Sequence, residues 1–263
     1  MNTQTLAMAA GFSCLAAAVP THASVLASAD FSTYANGNLV GQNGWQQYTT
    51  SSTAPIQVSN GVVTWAGGTT TNNQDAMLAF AEQVTQPTVG STILNFDMVL
   101  SVASAGANPS YFAALNTTTG TSSSGNFQNV RMVAQSSAAG FVFGTRVNGQ
   151  GGYPFAYGNT VLNFGQTYAL RAEVNLVAGN ANDFIDLYVG NTFSSMSLYA
   201  TAGYGSGTVS DISVGAILLS QFGSASTFES GITMQSIGVS VVPAPGAVAL
   251  LGVAGLVGGR RRR

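Results

Sequence analysis

Alternation of apolar and polar residues over long stretches constrains this chain more than any other feature. Between Gln166 and Ala178, Tyr168, Leu170, Ala172, Val174 and Leu176 share one parity, and Arg171, Glu173 and Asn175 take the other. From Ser91 to Ala103 the apolar parity is Leu94, Phe96, Met98, Leu100 and Val102. Asn95, Asp97 and Ser101 oppose it, interrupted by Val99. Asp183 to Val189 sets Ile185, Leu187 and Val189 against Phe184, Asp186 and Tyr188. Successive side chains of a strand point to opposite faces, so a period of two is what a strand needs to lay one face on a core.

Further strands are expected at 56–59, 62–66, 76–82, 111–116, 130–135, 141–147, 209–219 and 232–241. Asn60-Gly61 and Asn148-Gly149 supply hairpin turn chemistry. The low-complexity stretch from Thr117 to Gly125 reads as an exposed loop, and the body contains no convincing helix. Many short strands with no parallel pattern predict an all-β, antiparallel two-sheet sandwich. A body spanning residues 24–241 fits one such domain with one core.

Charged residues make up 6% of the chain, and lysine is absent. Between the two ends the only cations are Arg131, Arg146 and Arg171, against nine carboxylates, a formal charge of about −6. Such a surface repels phosphate backbones and argues against nucleic-acid binding. The only cysteine, Cys14, and the only histidine, His22, lie in the first 23 residues. That segment reads as a secretory signal: an apolar stretch from Leu6 to Val19, then small residues leading to an expected cleavage at Ala23. Its n-region carries no Lys or Arg. A chain trimmed there has neither thiol nor imidazole, so Ser-His-Asp and Cys-His nucleophiles, imidazole-bound zinc and disulfides are all excluded.

At the other end, Val242, Pro243, Ala244, Pro245 and Gly246 precede an apolar run that finishes on Arg260, Arg261, Arg262 and Arg263. The prolines keep the entry extended. Gly246 to Gly259 would span about 21 Å as a helix, short for a bilayer, which takes roughly twenty residues. The arginine cluster marks a cytoplasmic stop. This layout, over 242–263, resembles the PEP-CTERM sorting signals, in the form where Pro-Ala-Pro replaces Pro-Glu-Pro. The resemblance implies an exosortase-type processing enzyme as partner, transient anchoring in the inner membrane, and delivery to the cell envelope, outer surface or extracellular matrix. A plain membrane tail is the alternative.

The order Asp30-Phe31-Ser32, Gly37-Asn38-Leu39, Gly41-Gln42-Asn43-Gly44-Trp45 and Val58-Ser59-Asn60-Gly61 resembles the opening of concanavalin A-like (laminin G-like) domains. Segments 165–174 and 183–189 are similar to their paired central strands, and 228–239 to their last. The resemblance covers most of residues 28–242 and implies a jelly-roll sandwich.

Three chemistries remain for the body. Carboxylate-pair glycoside hydrolysis needs two acids flanking one bond. Asp183 and Asp186 stand three residues apart and so on opposite strand faces, while Glu82, Glu173 and Glu229 are far apart in sequence. Asn180, Asn182, Asp183 and Asp186 offer oxygen ligands for calcium, or form a plain Asn-rich turn. Tyr153, Phe155 and Tyr157, in a Gly- and Pro-bounded loop, could stack on the sugars of an extracellular polysaccharide, or fold onto the sandwich rim. Trp45 and Trp65 read as core. The sequence therefore predicts an exported, non-catalytic structural or adhesive sandwich, with a lectin-like module, calcium-dependent or not, as the alternative.

Overall fold

The computed structural model describes residues 23–49, 55–65, 74–117, 128–147, 154–203, 212–221 and 231–242. The secretory segment before Ala23, the sorting segment from Pro243 to Arg263, Tyr153, Glu229, the 118–125 stretch and Asn148-Gly149 lie outside them.

The described residues form strands and two single-turn 3₁₀ segments, Phe31–Thr33 and Phe193–Ser195. The first strands are β1 (Ser24–Asp30), β2 (Gly37–Asn38), β3 (Trp45–Gln46), β4 (Gln57–Ser59) and β5 (Val62–Thr64). Then come β6 (Gln74–Val84), β7 (Ser91–Val102), β8 (Ser110–Asn116), β9 (Gln128–Ser137), β10 (Gly140–Val147) and β11 (Ala156–Tyr157). The last are β12 (Thr167–Val177), β13 (Phe184–Gly190), β14 (Ser197–Gly203), β15 (Val214–Gln221) and β16 (Ile232–Val242). Each expected run contains a strand. Five strands had no expectation: β1, β14 and the two-residue β2, β3 and β11.

Two antiparallel sheets result, stacked as a jelly-roll-like sandwich. One has nine strands in the order β14-β13-β12-β7-β16-β5-β4-β2, with β1 also on β16; the other runs β11-β10-β9-β8-β15-β6-β3. The alternating parities behave as expected. Leu94, Phe96, Met98, Leu100 and Val102 of β7, and Leu170, Ala172, Val174 and Leu176 of β12, are buried between the sheets. Trp45 and Trp65 join that core. Tyr168 of β12 meets Phe141 and Phe143 of β10 edge-to-face at 6.0 and 6.3 Å, tying one sheet to the other. Removing each such aliphatic or aromatic side chain from water contributes about 1.5–3 kcal/mol.

β15 is buried throughout, with neither face wet. Ile217 and Leu219 enter the main core, while Ala216 and Leu218 form a second small cluster with Tyr48, Met77 and Ala114. That cluster lies on the outer face of the seven-stranded sheet. Asp75 holds the covering segment down: its Oδ1 accepts the Tyr48 and Thr49 amides at 2.7 and 3.1 Å. Tyr48 thus covers part of that outer face and reaches Ala114 and Asn116 of β8.

Candidate functional site

The β9–β10 hairpin turns through Ala138 and Ala139, so Arg131 pairs directly with Arg146 and Val133 with Gly144. Gly144 pairs in turn with Tyr157 of β11, whose ring lies over it: a Cβ on Gly144 would fall 2.6 Å from Tyr157 Cε1. A β-bulge in β8 between Tyr111 and Ala113 changes the parity there. Ala113 faces the core, and Tyr111, two residues earlier, is moved to the outer face opposite Val133. Arg131, Arg146, Tyr111, Tyr157 and Phe155 therefore share one patch.

The contacts within the patch are cation–ring contacts. The Arg146 guanidinium sits 4.5 Å from the Phe155 centroid and the Arg131 guanidinium 5.4 Å from that of Tyr111. Arg146 Nη2 donates to the Tyr111 hydroxyl at 3.4 Å. Tyr111 and Tyr157 flank Phe155 at 5.7 and 5.9 Å. Burial, and then the Arg146 charge, push the Arg131 pKa below the usual arginine value, with Tyr111 acting in the opposite direction. Burial pushes the Tyr157 phenol up to about 12, helped by Tyr111 and opposed by Arg146. The Arg131 Nε is a buried donor with no hydrogen-bond partner among the described residues.

The structure thus redefines the aromatic site expected from sequence. Phe155 and Tyr157 do fold onto the sheet, and one face of Phe155 carries a guanidinium. Sequence reasoning missed Tyr111, Arg131 and Arg146. The two arginines come together only through the register of the hairpin, Arg131 five residues before Ser136 and Arg146 five after its partner Phe141.

The proposed calcium ligands do not converge. Asp183 turns inward and is 1% exposed, with Oδ1 accepting the Val177 amide at 2.7 Å and Oδ2 the Ile212 amide at 3.2 Å. Asp186 lies on the outer face of the nine-stranded sheet and accepts the Thr201 hydroxyl at 2.6 Å. Asn182 Nδ2 donates to the Ala178 carbonyl. Asn180 sits in the same turn. The carboxylate of Asp183 closes backbone, which accounts for it without a metal.

Glu173, which has no neighbouring acid in sequence, does gain one in the sheet: it pairs across strands with Asp186. Both lie on the outer face of the nine-stranded sheet. Arg171, on the same parity of β12, makes two hydrogen bonds to Asp97 at 2.7 and 2.9 Å. A cleft of about 500 Å³ near one end of the sandwich is lined by Asn159, Thr160, Asn191, Ser195 and Tyr199 among others. Some of its polar groups bond to the protein itself: the Tyr199 hydroxyl donates to the Thr160 carbonyl at 2.6 Å, and Asn191 Oδ1 accepts from Gln166.

Neither a protein-family profile nor any curated protein matches this sequence. Solved structures do match in fold. Alginate lyase Aly36B superposes with a TM-score of 0.50 at 11% identity, over 82% of this chain and 96% of its own. A double mutant of that lyase in complex with alginate trisaccharide gives 0.51 at 10% identity, over 84% and 99%. The CBM2 module of the evolved Dit of Lactobacillus casei BL23 phage J-1 gives 0.47 at 11% identity, over 84% and 98%. The two superpositions on the lyase are a likeness of fold alone, that of a jelly-roll-like β-sandwich.

Proposed function

We propose that this chain is an exported, non-catalytic β-sandwich that acts by binding extracellular polysaccharide. The observation that carries the reading is the patch on the outer face of the seven-stranded sheet, where Tyr111, Phe155 and Tyr157 stand beside two guanidiniums. Rings and planar multi-donor groups are what sugar recognition uses, the first for apolar ring faces and the second for oxygens. Calcium is not needed in this reading, since Asp183 and Asp186 bond within the protein away from the patch. Export rests on the apolar leader up to Ala23 and on the Pro-Ala-Pro, apolar and arginine order from Val242 to Arg263, which supports exosortase-type sorting to the envelope or matrix.

Absence of catalysis is supported by how the acids are used. Asp75 and Asp183 accept backbone amides, Asp97 holds Arg171, and the Glu173–Asp186 pair is on the sheet opposite to the patch.

The test is a panel of immobilised polysaccharides probed with the full chain in detergent, with and without EDTA. Saturable binding that soluble polymer competes away and EDTA leaves unchanged is expected, weakened about tenfold in Phe155→Ala. Absence of saturable binding to every polymer overturns the reading. Polymer cleavage that disappears in Glu173→Gln would replace it with an enzyme.

A further inference from the structure

The cleft of about 500 Å³ opens where the segment after β11, in one sheet, faces the β13–β14 connection of the other. Small-molecule sites have volumes of about 300–1,000 Å³. Tyr199 of β14 ties the two walls together. Its hydroxyl donates to the Thr160 carbonyl at 2.6 Å, and its ring packs so closely on Gly158 that a Cβ there would fall 2.0 Å from Cε1. A ring fixed by two such contacts has little freedom left to lose when a ligand arrives. None of the residues lining the cleft is charged. The Asn159 carboxamide and the Thr160 and Ser197 hydroxyls belong to exposed residues and make no hydrogen bond among the described residues. Asn191 uses only its Oδ1, on Gln166, which leaves its Nδ2 donor open. Leu198, 57% exposed, adds an apolar wall beside them.

We propose that this cleft is a second carbohydrate site, one that takes neutral sugar residues of an oligosaccharide. Carboxamides and hydroxyls between them donate and accept, which is what a sugar hydroxyl does too. Leu198 and the Tyr199 ring offer the apolar side that the C–H face of a sugar requires. A carboxylate entering here would lose hydration and meet no counter-charge on the lining, so the site selects against uronates. The site uses none of the residues of the aromatic patch, and it stands whether or not that patch holds polymer.

Isothermal titration of the full chain in detergent tests this, with cellotriose, laminaritriose, maltotriose and trigalacturonate as ligands. Saturable heat is expected from at least one neutral trisaccharide, with trigalacturonate about tenfold weaker or more. Asn159→Ala should weaken the neutral ligand about tenfold, the scale of one hydrogen bond. Ser197→Trp, which fills the cleft from an exposed position, should abolish its binding. No saturable heat from any neutral trisaccharide, equal binding of trigalacturonate, or full binding by both variants overturns the cleft site. Loss in Phe155→Ala with neither cleft variant affected moves the sugar to the patch, which overturns the cleft and spares the polysaccharide reading. Cleft-dependent binding alongside a blank polysaccharide panel does the reverse. Urea midpoints equal to the parent's establish that the variants are folded, and the trigalacturonate comparison needs no variant.

Discussion

At the residue scale, the buried carboxylates of this sandwich act as acceptors for backbone amides. Asp183 binds the end of β12 through Val177 and the approach to β15 through Ile212, so one side chain links the two sheets. Asp183→Ala would leave buried N–H donors unmet, each costing about 1–3 kcal/mol. A loss of about 2–4 kcal/mol in the unfolding free energy follows, read from the urea midpoint. An unchanged midpoint would refute the role. Tyrosines give a second prediction. Burial lifts both Tyr157 and Tyr199 to about 12 in the folded protein, against about 10 in an unfolded chain. A raised folded-state pKa favours the native state while the phenol is protonated. Stability from these two groups is therefore complete below pH 10 and drains away as pH climbs from about 10 to about 12. Tyrosinate absorbance in the native state should rise late for two residues, and thermal unfolding temperatures should fall across that window. The sequence disclosed the opposite faces of Asp183 and Asp186, because three is an odd step along a strand. It could not disclose that Asp183 faces backbone amides, one of which lies 29 positions away.

At the element scale, what was legible followed the strength of alternation. β7, β12 and β13 were readable almost to their ends, since one buried and one wet face leave a period-two signature. β15 kept its existence but not its character, because a strand buried on both faces has no alternation to show. β2, β3 and β11 are two residues long and carry no period at all. The β9–β10 hairpin was hidden differently. Its turn, Ala138-Ala139, lacks turn-forming residues, and Ala138 adopts φ of 42° without the help of glycine. The patch depends on this element being clamped. Phe141 and Leu162 exchange two backbone hydrogen bonds, at 3.0 and 2.8 Å, docking the segment after β11 onto β10. Gly140 makes room for that docking, as a Cβ there would lie 2.0 Å from the Leu162 carbonyl oxygen. Gly140→Ala must push the two apart, costing about 1–3 kcal/mol. Hydrogen exchange should then show the Phe141 and Leu162 amides losing protection, while the β7 and β12 amides keep theirs.

At the scale of the whole molecule, the sandwich is closed by its own two ends. β1 pairs with β16 from Ser24 opposite Val241 to Asp30 opposite Ser236, so the first and last described strands lie side by side in the nine-stranded sheet. Val242, expected as the first residue of the sorting segment, is the last of β16 and pairs with Ile93. Any segment preceding Ser24 and any following Val242 thus leave from the same place. Trimming both therefore cuts none of the described strands. One contiguous cluster spans both sheets and includes Trp45 beside β6 and Trp65 beyond β5. Neither sheet can bury its inner face without the other, which makes the sandwich a single cooperative unit. Residues 24–242 expressed alone should accordingly fold, and should unfold in urea with tryptophan fluorescence and far-ultraviolet circular dichroism tracing one curve. Starting instead at Asp30 removes one of the three partners of β16 and lays a strand edge open, so that version should unfold at lower urea and aggregate. Two separate transitions in the 24–242 protein would mean that the sheets are independent. Equal stability on deleting β1 would mean that the joined ends contribute nothing.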